Sequence, residues 1–143
     1  MEYPKVKFSP DWVTKENAID DAVVNWTNSF GKFLTKKKED ARDWKNNINP
    51  LTTSQIRKFF GELKRIQADF DNKKGQVPLL KAKLAYAVGR DMGPKRAKSK
   101  IKEFYEELTV GIEAVNQNKK NYARFVSIVE SIVAFHKLHG GKD

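Results

Sequence analysis

The sequence predicts an all-α protein, a compact bundle of about five helices that forms one helical domain over residues 1–143. Apolar side chains recur at three- and four-residue steps in five stretches, the spacing that gathers them on one helical face. No stretch alternates apolar and polar residues for long enough to form a competing strand, and no repeat of fixed period runs along the chain. Pro50, Pro78, Gly93-Pro94 and Gly140-Gly141 fall where the periodic stretches stop. A chain of 143 residues is long enough to bury roughly two thirds of its unfolded surface around a single core.

The first helix is expected from about residue 10 to 35, opened by Ser9-Pro10, with Ile19, Ala22, Val23, Trp26, Phe30 and Phe33 on its apolar side. Residues 36–50, KKKEDARDWKNNINP, lose this periodicity and read as a polar connection able to flex. A connection of that kind leaves two arrangements open: the N-terminal helix packs on its own chain, or it is exchanged between copies. The second helix spans about 52–72. Thr52 and Gln55 have the spacing of a capping box, and Ile56, Phe59, Phe60, Leu63, Ile66 and Phe70 follow on one face. The third helix starts near Pro78 and reaches Met92, where Gly93-Pro94 breaks the chain. The fourth, about 95–116, buries Ala97, Ile101, Phe104, Leu108, Ile112 and Val115, and Gly111 within it calls for close packing or a kink. The fifth, about 118–139, presents Tyr122, Phe125, Val129, Ile132, Val133 and Phe135 before Gly140-Gly141 ends it. Short connections make these last helices antiparallel neighbours.

The chain has no cysteine, which excludes disulfides, thiolate zinc sites and thiol nucleophiles. It has no apolar N-terminal run, so no membrane association and a cytoplasmic location are expected. His136 and His139 lie three apart but have no third ligand nearby, and no metal site is expected. The adjacent carboxylates Asp20-Asp21, Glu39-Asp40 and Glu106-Glu107 point about 100° apart on a helix, so they read as solvated faces and not as an acid–base pair. Neither a phosphate loop nor a nucleophile motif is present. The expectation is a protein that is not an enzyme, with no catalytic residues and no cofactor.

A formal charge of +10 favours a polyanionic partner, nucleic acid first, through release of condensed counterions. Three groups of residues are candidates for that contact. Arg57 and Lys64 share a stripe with Gly61 and Ala68, whose small side chains would let a phosphate chain approach, while Lys58 and Arg65 point farther round. Lys83, Tyr86 and Arg90 form a second stripe away from Leu80, Leu84, Ala87 and Val88, combining a point charge, a stacking ring and a planar fork for phosphate oxygens. Lys95, Arg96 and Lys98, with Lys100 and Lys102, crowd the expected opening of the fourth helix, where cations are unfavourable unless an anion neutralises them.

Three segments in order carry a family resemblance: LTTSQIRKFF at 51–60, LLKAKLAYAVGRD at 79–91 and FVSIVESIVAFHK at 125–137. They resemble the helical small subunit of the type III-A CRISPR effector, the Csm complex, over about residues 50–138. The resemblance implies a noncatalytic RNA-binding subunit in antiviral defence that lines the channel holding guide RNA and target RNA. Its implied partners are the backbone and large subunits and other copies of itself. Two other readings stay open: a DNA-binding regulator using residues 52–72 or 95–116 as a recognition helix, and a protein-only scaffold whose charge meets acidic subunits.

Overall fold

The computed structural model describes residues 3–38, 42, 47–91 and 98–142. Among them the architecture is mostly α. Its elements are α1 (Asp11–Thr14), α2 (Asp21–Leu34), β1 (Ile48–Asn49), α3 (Thr53–Ala68), α4 (Phe70–Lys73), α5 (Leu79–Asp91), β2 (Lys98–Ser99), α6 (Ile101–Val115) and α7 (Lys119–Leu138).

Three of the expected helices differ from their prediction. The first is two helices. Lys15 turns extended after α1, Asn17 takes a positive φ of 58°, and the Asp20 carboxylate accepts from Val23 N at 3.1 Å to start α2 afresh. Ile19 and Ala22 therefore lie at or before the opening of α2 and are exposed, not core. The second helix breaks at Asp69 (φ −146°, ψ 54°), so Phe70 enters the core from the short α4. The fourth begins only at Ile101, because Lys98 and Ser99 form β2 and pair in parallel with Ile48 and Asn49 of β1. The predicted positions Met92 to Ala97, including Gly93-Pro94, lie outside the described residues.

The capping box forms as the spacing requires. Gln55 N donates to Thr52 Oγ1 at 3.1 Å and Thr52 N to Gln55 Oε1 at 2.9 Å. Beside it, Thr53 N donates to the Lys142 carbonyl at 2.9 Å, tying the chain end to the start of α3. At the end of α7, Gly140 takes φ 91°, and the N–H groups of Gly140 and Gly141 return to the Lys137 and His136 carbonyls.

Helix α7 runs through the centre and packs against α1, α2, α3 and α6, with Phe125, Val129 and Ile132 buried in its face. The α6–α7 pair is antiparallel, joined by Asn116 and Gln117 at positive φ and by Asn118, which caps α7 through Asn121 N at 2.9 Å. A Cβ on Gly111 would stand 2.6 Å from Phe125 and 2.7 Å from Phe8, so this glycine is there for close packing. A Cβ on Gly31 would stand 2.9 Å from the His136 backbone nitrogen, so α2 lies against α7 of its own chain at backbone distance. Trp12, Trp26, Phe30 and Phe33 extend this side as successive ring contacts with centroids 4.9 to 6.3 Å apart.

Candidate nucleic-acid interface

The exposed cations are set by which faces of α3 and α5 the core leaves free. On α3, Ile56, Phe59, Leu63 and Ile66 are buried, which turns Arg57, Gly61, Lys64 and Ala68 to solvent. Gly61 has open space where a Cβ would sit. Arg57 makes no hydrogen bond or ion pair with the described residues, so the carboxylate partner that would make it structural is absent among them. Lys64 Nζ stands 6.0 Å from the Phe60 ring centroid, at the outer limit of a cation–π contact.

On α5, burial of Leu80 and Leu84 leaves Lys83, Tyr86 and Arg90 together on the outer side. Tyr86 is 71% exposed, and the neighbouring Leu79 is 57% exposed. A ring so open is available for stacking.

Glu62 joins the two stripes. Its carboxylate accepts from Arg65 Nη2 at 2.9 Å and from Lys83 Nζ at 3.0 Å. The Arg65 guanidinium, then Lys83, hold this carboxyl below the usual carboxylate range. Arg65 also donates to Gln76 Oε1 at 2.7 Å. At about 100° per residue, Lys58 and Arg65 fall between the Arg57–Lys64 stripe and the side of α3 that meets Lys83. The residues read from the sequence as pointing elsewhere thus fill the gap between the two groups. The missing signal was Glu62, whose role depends on α5 crossing beside it.

The third group divides. Lys95 and Arg96 lie outside the described residues. Lys98 is exposed but belongs to β2, so it does not crowd a helix start. It lies near the end of α5, since the adjacent Ser99 donates its N–H to Asp91 Oδ2 at 2.8 Å, with the Ser99 hydroxyl on the same oxygen. Lys100 does stand at the start of α6, but it is only 4% exposed.

The other chemistry-bearing residues have structural partners. His136 is buried with Nε2 2.8 Å from the Leu51 carbonyl, and burial pushes its pKa down. His139 Nε2 lies 2.5 Å from Asn28 Oδ1. Among the described residues no group of three or more His, Cys, Asp or Glu could hold a metal. Glu107 corrects the solvated reading of its pair: it is 4% exposed and accepts from the Tyr3 hydroxyl at 2.5 Å and from Phe8 N at 2.9 Å. Asp20 serves as the cap of α2, and Glu39-Asp40 lies outside the described residues. No helix among the described residues is long and apolar enough to cross a membrane.

Comparison with known proteins identifies the family. A curated CRISPR system protein Csm2 from Streptococcus thermophilus is 30% identical over 100 residues, covering 65% of this chain and 76% of the relative. No solved structure matches the chain. The family model for Csm2 of type III-A matches residues 27–142, from the middle of α2 to the end of the described chain. With that match spanning α3, α5, α6 and α7, the chain belongs to the Csm2 family of type III-A CRISPR systems, the small subunit of the Csm complex.

Proposed function

We propose that this chain is a noncatalytic RNA-binding subunit that lines the guide–target channel of a cytoplasmic type III-A ribonucleoprotein and steadies target RNA through sequence-independent backbone contacts. The observation that carries the reading is the α3–α5 surface. Arg57, Lys64 and Arg90 are exposed without ion-pair partners among the described residues, Lys83 is held by Glu62, and Tyr86 stands open between them. Cations left unpaired on rigid helices suit a ligand that brings regularly spaced phosphates, and an exposed ring suits a base or sugar. Gly61 leaves room for the backbone to approach α3. Lys98 extends the same contact past the end of α5, and Lys95 and Arg96, outside the described residues, keep the RNA-contacting role read from the sequence. Guide pairing supplies the sequence specificity, as in other RNA-guided effectors, and antiviral defence follows from that division of labour. The partners in this reading are guide RNA, target RNA, the backbone and large subunits and further copies of this chain, with residues 1–143 acting as one domain and 36–50 as its polar connection.

The test is binding of the purified protein to labelled single-stranded RNA and to duplex DNA of equal length across a salt series, beside an Arg57→Ala, Lys83→Ala, Arg90→Ala variant. The expected outcome is RNA binding that ignores sequence, weakens steeply with salt and falls at least about tenfold in the variant. Preference for duplex DNA sinks the reading in favour of a regulator. Loss of RNA dependence in the assembled complex as well favours a protein-only scaffold.

A further inference from the structure

A second basic feature lies apart from the α3–α5 surface and was not legible as a unit in the sequence. Lys36, Lys38 and Lys100 line a cleft of about 540 Å³ with Tyr3, Phe33 and Glu103. Three observations make it unusual. Lys38 and Ile48 form an antiparallel bridge, and Ile48 pairs in parallel with Lys98, so Lys38, Ile48 and Lys98 stand in one row. Two strand spacings place the backbones of the outer two residues about 10 Å apart, with Ile48 between them. Lys100 is buried, donates to the Phe33 carbonyl at 2.6 Å and stands 3.9 Å from the Phe33 ring centroid. An ammonium has three protons to donate, and this one has a single acceptor among the described residues. Among the described residues the one lining carboxyl is Glu103, which burial pushes upward and which alone faces the three lysines Lys36, Lys38 and Lys100. Burial, joined by the like charges of Lys36 and Lys38 and opposed by Glu103, brings Lys100 down to about 8.

We propose that this cleft, between the end of α2, the Lys38–Ile48–Lys98 row and the start of α6, is a phosphate-binding site. A phosphate group there accepts from Lys36 and Lys38 at the mouth and from the spare protons of Lys100 at the back. It also faces the positive end of α6 and relieves the like-charge crowding of the row. The Tyr3 and Phe33 rings, in edge contact at 4.8 Å, give the cleft one apolar wall beside its cations. The phosphate comes either from an RNA backbone or from a free anion.

The experiment titrates the full-length, isotope-labelled chain with inorganic phosphate at constant ionic strength, and separately with a short single-stranded RNA, following backbone amide resonances. Lys36→Gln with Lys38→Gln alters only exposed side chains, and Arg57→Ala with Lys64→Ala is the comparison on α3. Saturable phosphate shifts at Lys38, Ser99, Lys102 and Glu103 are expected, weakened about tenfold in the Lys36/Lys38 variant and unchanged in the Arg57/Lys64 variant. RNA moving the same amides identifies the RNA backbone as the source, whereas phosphate alone moving them identifies a free anion. Shifts that do not saturate, or that persist unchanged in the Lys36/Lys38 variant, overturn the proposal. The α3 amides report the RNA surface separately, so failure there leaves the cleft standing and failure at the cleft leaves that surface standing.

Discussion

The α6–α7 seam and the α3–α5 surface are both places where two helices meet, but they are held in opposite ways. At α6–α7, Gly111 lets Phe125 approach closely, and the segment before α1 seals the seam, with Phe8 against Gly111 and the Tyr3 hydroxyl and Phe8 N–H on the oxygens of the buried Glu107. At α3–α5 the bridge is a half-buried carboxylate, Glu62, between two cations, with Arg57, Lys64 and Arg90 around it unpaired among the described residues. The first seam is specified by shape and tolerates almost no change in volume. The second is specified by charge and contributes little stability, because ion pairs that water can reach are worth about 0–1 kcal/mol. Truncating a side chain should therefore lower stability at the first seam and RNA affinity at the second.

Phe125→Ala is the strongest test of that separation. The ring is fully buried and occupies the space that Gly111 leaves. Its removal should cost about 3–5 kcal/mol, read from urea denaturation, while the folded fraction keeps its affinity for RNA. A loss under about 1 kcal/mol would mean that the seam collapses to fill the cavity and is not specified by shape.

How far the sequence reaches follows the same division. Helices α3, α5, α6 and α7 were legible because an apolar period and a cap such as Thr52–Gln55 are local signals. The break between α1 and α2 was not, since Asn17 and Asp20 interrupt a run whose apolar spacing resumes in phase enough to read as one helix. The β1–β2 pair was invisible for another reason: two residues on each side carry no periodicity, and only tertiary structure brings Ile48 beside Lys98. Arg57, Lys64, Lys83, Tyr86 and Arg90 were readable as outward faces. The Glu62 bridge and the Lys36–Lys38–Lys100 cleft join segments that are distant in the chain, and spacing alone does not report them.

Lys100 blurs the comparison, because it is a cation treated as core. Its folded pKa near 8 lies below the ordinary 10.5 that it regains on unfolding, chiefly through burial. Between those values the unfolded chain binds a proton that the folded chain has lost. This group therefore makes stability rise with pH from about 8 toward 10, by at most about 1.4 kcal/mol per pH unit, with no contribution to the slope well below 8. Tyr3 and Tyr122, both pushed up by burial, act in the opposite direction only above pH 10. Urea midpoints of the wild type and Lys100→Met at pH 7.5, 8.5 and 9.5 isolate the effect. The wild type should gain relative to the variant across that range, and parallel curves would show that the ammonium is solvated.

Gly61→Ala sharpens the comparison with the smallest effect, and it does so by moving stability and binding in opposite directions. Gly61 sits inside α3, exposed, with no atom near the position of an added Cβ. Alanine there restrains the unfolded backbone and avoids the cost of glycine in a helix, so stability should rise by about 0.5–1 kcal/mol in thermal or urea unfolding. The same methyl group narrows the gap between Arg57 and Lys64, and RNA affinity should fall by roughly twofold, with a larger fall for Gly61→Gln at the same raised stability. If both variants gain stability and bind RNA as the wild type does, the phosphate chain does not pass over this glycine. Contact would then shift toward Lys58, Arg65 and the Lys83 side of α3.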